Sequence, residues 1–221
     1  MARINLANLK KEEIVKRHNF HCTHGHTGLE HSSCYENTTG NKERIGYLDI
    51  EASNLNADFG FVLSYCIKVD GGEIIKRLIT PEEIWSGDFD KRLMIQLCED
   101  IRQFDRVLTY YGARFDMPFL RTRCIFHKLD FPQYQEVKHT DVYDITKRKL
   151  NLHSKRLEVI CDFFNIAAKE HKMKPAIWNR CGAGHQKSLD YVLTHNIEDV
   201  VSLEELYHRI KDYARKTDTS I

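Results

Sequence analysis

Two acidic residues two positions apart, Asp49 and Glu51 in RIGYLDIEAS, are side chains of this 221-residue chain whose types and spacing suggest chemistry. The run is rich in β-formers, and side chains alternate along a strand. Leu48 and Ile50 therefore take one face while Tyr47, Asp49 and Glu51 take the other. Two carboxylates on one face repel, which raises a pKa or costs stability unless a cation sits between them. Such a pair also arises by chance on exposed strands, so its weight depends on partners elsewhere. Asp116 in YYGARFDMPFL follows a later predicted strand and stands at a helix start, where the helix dipole favours a carboxylate in any case. In HNIEDVVSL, Asp199 falls on the apolar stripe of a predicted helix, an expensive place for an unpaired charge. His195 is four residues earlier, about 40° away around the axis, and so shares that face.

A second group lies near the N-terminus. Cys22, His24, His26, His31 and Cys34 place five metal-capable side chains within thirteen residues. Thiolate and imidazole ligands at these separations suit a tetrahedral Zn²⁺, and Gly25 and Gly28 permit tight turns around it. So short and polar a segment has few apolar groups to bury, and an ion would supply much of its folding energy. Cys22, His31 and Cys34 are the expected ligands, with either His24 or His26 as the fourth. Cys181-x3-His185 has similar spacing, but with no second pair it reads as a loop.

The elements that must position these groups follow from periodicity. Residues 1–43 are polar and His/Cys-rich, and are expected to form a small zinc-binding element apart from residues 44–221. From Arg44 onward, three β-rich runs with short turns, RIGYLDIEAS, DFGFVLSYCIKV and GGEIIKRLIT, predict an antiparallel meander. Thr80-Pro81-Glu82-Glu83 has the spacing of a capping box with Pro at the first helical position. Residues 91–104 have an apolar face, RVLTYYG is a fourth strand, and helices are predicted over 117–129, 142–150, 154–164 and from about 188 to 214. This order describes an α/β protein with a mixed sheet and flanking helices, of RNase H-like type.

Taken together, DIEAS after a strand, FDMPFL after a later strand and HNIEDVVSL on a C-terminal helix resemble the DEDD superfamily of 3′-5′ exonucleases, with their DnaQ-like RNase H fold. The likeness spans about residues 44–214 and is greatest to the predicted ribonuclease H-like exonuclease branch. It implies metal ligands at Asp49, Glu51, Asp116 and Asp199, holding two Mg²⁺ or Mn²⁺ ions that activate a water and stabilise the leaving 3′ oxygen. The superfamily's last motif is Tyr-x-x-x-Asp or His-x-x-x-x-Asp, whereas this chain sets His195 at the tyrosine spacing from Asp199. With a reference pKa near 6.5, His195 could accept the water's proton or orient it. Tyr191, one turn earlier, reads mainly as core. The likeness also places a structural aspartate and aromatic region at Asp141, Tyr143 and Asp144, where helix capping is the favoured role.

Charge sharpens the substrate. Lys and Arg total 33 against 32 Asp and Glu, a net charge of +1, which excludes a globally basic coat protein. Residues 138–180, however, hold ten basic against five acidic residues. Lys147, Arg148, Lys149, Lys155 and Arg156 are candidate phosphate contacts beside the cleft. The expected activity is 3′-5′ exonucleolytic hydrolysis of single-stranded DNA or RNA ends. The alternatives are an endonuclease of the same fold acting on hybrid or branched duplex, and a non-catalytic zinc-containing nucleic-acid-binding module. Five of the seven cysteines, Cys66, Cys98, Cys124, Cys161 and Cys181, sit among apolar neighbours and read as buried thiols. With no signal-peptide pattern and no apolar run of membrane-spanning length, the expected location is cytoplasmic, without a membrane partner.

Overall fold

The computed structural model describes residues 9, 11–39, 43–133, 136–167 and 173–214. The chain divides into two compact units, 1–43 and 44–221. In the first, α1 (Lys11–Asn19) and α2 (Ser32–Thr39) flank a turn. The sequence reading assigned neither helix, because KEEIVKRHN and SSCYENTT lack an apolar stripe. The turn is closed by the Cys22 N–H donating to the His26 carbonyl and the Gly25 N–H donating to the Cys22 carbonyl, both at 2.9 Å. Gly25 has φ +78°, a left-handed conformation costly for other residues. Phe20 and Tyr35 pack here edge to face at 5.1 Å, with the Arg17 guanidinium 4.6 Å above the Tyr35 ring.

The second unit opens with β1 (Ile45–Ala52), β2 (Val62–Val69) and β3 (Ile74–Leu78), followed by α3 (Pro81–Ser86) and α4 (Lys91–Ile101). Next come β4 (Arg106–Thr109), α5 (Asp116–Phe126), β5 (Lys138–Asp141), α6 (Val142–Lys149), α7 (Leu157–Phe164), α8 (Pro175–Gly182) and α9 (Gln186–Ile210), which ends in a 3₁₀ turn, Lys211–Tyr213. The sheet order is β3-β2-β1-β4-β5. The first three strands pair antiparallel, while β4 runs parallel to β1 and β5 parallel to β4. This is the mixed, helix-flanked RNase H-like sheet expected from the motif order. The capping box is present: Thr80 Oγ1 accepts from the Glu83 N–H, and the Glu83 carboxylate accepts from the Thr80 N–H.

Two elements differ from the sequence reading. β5 was not foreseen; KHTD is four residues long and polar, and it becomes a strand by pairing Val107 with His139 and Leu108 with Thr140. The Cys181–His185 segment is not a plain loop, since Cys181 lies in the last turn of α8 and is fully buried in the core. All five apolar-flanked cysteines are buried free thiols.

The two faces of β1 divide the core as the alternation predicts. Leu48 and Ile50 join α4 and α5 residues in one cluster, while Tyr47 joins Val200, Leu203 and Leu206 of α9 in the other. Thus Asp49 and Glu51 face α9. A register irregularity between Glu51 and Ala52 ends regular pairing beside the acidic pair. The C-terminal part of α5 is anchored by a buried charge network. Arg123 grips Asp90 at 2.7 and 2.9 Å, His127 Nε2 lies 2.7 Å from the same carboxylate, and the Val62 N–H donates to it at 2.9 Å. Near the C-terminal end of α9, Asp70 in the β2–β3 turn accepts from the Tyr47 hydroxyl at 2.8 Å and lies 2.7 Å from His208 Nε2. Glu204 accepts from the Gly71 N–H at 2.7 Å. Among the described residues, no helix is long and apolar enough to cross a membrane.

Candidate active site and metal centres

Three elements converge at the acidic face of β1. Oxygen or nitrogen atoms of Glu51, His195 and Asp199 all lie within 4.8 Å of one another, with Glu51 and Asp199 buried. His195 Nε2 is 3.7 Å from Glu51 Oε1 and 3.5 Å from Asp199 Oδ2. Asp49 is joined to the same helix through Asn196, whose side-chain N–H donates to Asp49 Oδ2 at 2.6 Å. Asp116, in the first turn of α5, accepts from the Ile50 N–H of β1 at 3.2 Å. Of the five sequence-predicted residues, Glu51, His195 and Asp199 form one group of ligand atoms, while Asp49 and Asp116 stand outside that group, tied to α9 through Asn196 and to β1 through the Ile50 N–H.

The local backbone explains the approach of α5. Gly112 turns the chain out of β4, where a Cβ would lie 2.3 Å from Thr109 Oγ1. Tyr111 has φ +68°, an uncommon conformation for a bulky residue and a mark of strain beside a site. Burial drives the Asp116 carboxyl well above the ordinary carboxylate range, and the charges of Asp141 and Asp199 push it further; the Ile50 N–H opposes the shift. A cation in this cluster would relieve that repulsion and displace the proton. Hard divalent ions favour such oxygen donors, so the residues fit the expected metal chemistry.

Asn196 is the site residue that sequence reasoning passed over. It is fully buried on the apolar stripe of α9, and its carbonyl receives the Ser64 hydroxyl at 3.4 Å. The signal was its position: a polar side chain on a core-facing stripe needs a partner.

Asp141 serves as a cap, accepting from the N–H groups of Tyr111 at 2.8 Å, Tyr143 at 3.0 Å and Ala113 at 3.0 Å. Arg114 bridges Asp144 at 2.9 Å. Of the basic candidates, Lys147, Arg148, Lys149 and Arg156 are exposed. Lys155 differs: its ammonium donates to the Leu150 and Leu152 carbonyls at 2.7 and 3.1 Å, holding the α6–α7 connection. Two others of the ten basic residues in 138–180, Lys169 and Lys172, lie outside the described residues.

In the first unit, four of the five candidates converge: Cys22, His24, His31 and Cys34 have ligand atoms within 4.8 Å of one another. Cys22 Sγ is 3.7 Å from His24 Nδ1 and 3.6 Å from His31 Nδ1, and Cys34 Sγ is 3.6 Å from His24 Nδ1. A tetrahedral ion about 2.3 Å from sulfur and about 2.0 Å from nitrogen sets these atoms about 3.6 Å apart. His26 stays outside the group; its backbone carbonyl closes the turn instead. Burial opposes ionisation of Cys22, but hydrogen bonds from His31 and around His24 and His26 outweigh it and bring the thiol down to about 5. Cys34 is pushed up by burial and by the neighbouring Cys22 charge. Cys181 and His185 join no comparable group among the described residues.

This fold and acidic centre define the class of protein. The chain belongs to the RNase_H superfamily, whose RNase_H_2 family model matches residues 46–211. Among solved structures it is similar to the family B DNA polymerase from the hyperthermophilic archaeon Pyrobaculum calidifontis, with a TM-score of 0.65 at 17% identity, covering 77% of this chain and 25% of that one. The chain thus spans about a quarter of the polymerase's length. No curated protein matches it in sequence. Membership of the superfamily supports nuclease activity on nucleic acid.

Proposed function

We propose that the protein is a metal-dependent 3′-5′ exonuclease that hydrolyses phosphodiester bonds at single-stranded ends by a two-metal-ion mechanism. The observation that carries this reading is the meeting of Glu51, His195 and Asp199 from strand and helix, with Asp49 tied to the same helix by Asn196. Asp49, Glu51, Asp116 and Asp199 would hold the ions. When bound, Mg²⁺ or Mn²⁺ lowers the pKa of an attacking water and neutralises the leaving oxygen. Asn196 orients Asp49, and the Ile50 N–H orients Asp116.

Substrate binding has two supports. Lys147, Arg148, Lys149 and Arg156 offer exposed cations to a phosphate backbone, with Lys155 setting the turn that presents them. Leu55 and Phe59, between β1 and β2, are 81% and 79% exposed. Leu55, Arg114, Phe115 and Pro118 line a cleft of about 250 Å³ that flanks Asp116. Apolar side chains beside a phosphodiester site suit the stacking of an unpaired terminal base. The N-terminal unit would hold one structural Zn²⁺ through Cys22, His24, His31 and Cys34.

Digestion of 5′-labelled, 3′-labelled and circular DNA and RNA with Mg²⁺, Mn²⁺ or chelator tests the assignment. Stepwise loss of the 3′ label with circles intact supports it. Cut circles favour an endonuclease of the same fold, and no cleavage in either metal favours a binding module.

A further inference from the structure

Arg114 lines the cleft beside Asp116, and it also belongs to an aromatic cluster that the acidic centre does not use. Its guanidinium carbon lies 5.5 Å from the centre of the Tyr111 ring and 5.3 Å from that of Tyr143, and the two rings meet edge to face at 5.0 Å. Asp144 at 2.9 Å and Asp141 at 3.6 Å hold the guanidinium in place. Side chains fixed in this way lose little further freedom when something binds to them.

The backbone beneath the rings is fixed as well. The buried carboxylate of Asp141 accepts from the N–H groups of both Tyr111 and Tyr143. Tyr111 is held at φ +68°, where glycine or asparagine sits more easily, and is nevertheless 46% exposed. A bulky ring kept in a costly conformation and left in contact with solvent points to a use outside the core. Tyr143 stands in the first turn of α6, and the exposed cations Lys147, Arg148 and Lys149 close the same helix.

We infer that the Tyr111 ring, backed by Tyr143 and Arg114, stacks a base of the substrate strand behind the terminal one, so that the strand leaves the acidic centre across this cluster toward the cations of α6. The inference rests on the proposed hydrolytic reading and adds a second base site to it. Every base presents a π-face, so such a platform holds a single strand without reading its sequence. Bases inside a duplex are already stacked on one another and have no free face to offer, so the same platform disfavours paired ends.

The test uses the full chain with Ca²⁺, another oxygen-preferring ion, in place of Mg²⁺. Tetranucleotides with 2-aminopurine at each position in turn are titrated with protein, and stacking is read as fluorescence quenching; cleavage of the same strands is followed in Mg²⁺ and Mn²⁺. The wild type should quench an interior position, and lengthening the strand from a dinucleotide to a tetranucleotide should tighten binding. Tyr111→Gly and Tyr111→Asn suit a positive φ, so both should keep the wild-type circular dichroism while losing the interior quenching and about tenfold of the affinity gained on lengthening. Tyr111→Phe keeps the ring and should retain both. Interior quenching that persists in the glycine and asparagine variants overturns the inference, as does affinity that rises equally with length in all four proteins; cleavage by the wild type then leaves the hydrolytic reading standing. Tyr111-dependent quenching without cleavage in either metal keeps the platform and overturns the hydrolytic reading. Failure to bind any strand overturns the inference, and failure to cleave as well overturns both.

Discussion

The side-chain amide of Asn196 reaches across from α9 to Oδ2 of Asp49 at 2.6 Å, and its carbonyl receives the Ser64 hydroxyl of β2. A buried amide that bonds to a carboxylate and a hydroxyl locks helix to sheet at the centre itself. Asn196→Ala should leave Asp49 without its orienting donor, lower hydrolysis about 10- to 100-fold and cost about 1–3 kcal/mol of stability. Asn196→Asp should be worse, because it sets a like charge against Asp49. Steady-state kinetics and denaturant midpoints check both, and wild-type rates in Asn196→Ala would count against the positioning role.

Asp49→Ala and Asp199→Ala should each abolish hydrolysis; without metal the thermal midpoint of Asp199→Ala stays level or rises as a repelling charge is removed, whereas in Asp49→Ala that relief is offset by the lost acceptor of the buried Asn196 amide. Cleavage surviving in highly purified Asp49→Ala protein would defeat the assignment.

Purified protein should contain one zinc per chain by elemental analysis, and Cys22→Ser/Cys34→Ser should contain none. The doubly substituted chain should lose the α1–α2 helical signal while residues 44–221 keep theirs. Zinc absent from the wild type would rule the ion out.

His139 gives a pH prediction. Its ring is buried beside Thr109, with Nε2 2.8 Å from Oγ1; burial, reinforced by Arg106, brings its pKa down to about 4. Stability from the neutral ring is complete above the unfolded value near 6.5, and it is lost as pH falls toward 4, where the unfolded chain binds the proton first. The loss should total about 3 kcal/mol across that window. Denaturation of wild type and His139→Gln from pH 7 to 4 checks it: the variant's profile should be flatter by about that amount.

Binding to single strands should weaken with salt. Replacing Lys147, Arg148, Lys149 and Arg156 with glutamine should shallow the log–log slope by up to about 3, from roughly 0.7 per phosphate contact. An unchanged slope would place the substrate elsewhere.

Strong periodicity made the centre legible. The alternation in Tyr47–Glu51 and the intrusion of Asp199 into an apolar stripe both report directly which way a side chain faces. β5 was illegible because nothing within KHTD distinguishes it from a turn; its strand character comes from β4, more than thirty residues earlier in sequence. Cys181 was legible as a buried thiol from its apolar neighbours, but its place in the last turn of α8 was not, since the following Gly182, Gly184 and His185 read as a loop. The choice between His24 and His26 needed three dimensions. Both lie within reach along the chain, and the turn at Gly25 spends His26 on its own closure.

The grip of His208 and Tyr47 on Asp70 lies about 13 Å along α9 from Asp199, and that of Glu204 on Gly71 about 8 Å. A slip of α9 by one residue would advance it about 1.5 Å and swing its side chains about 100°, taking His195, Asn196 and Asp199 out of alignment together. That distant clasp therefore sets the reading frame of the helix against the sheet. Loosening it would blur the centre without altering any group within it.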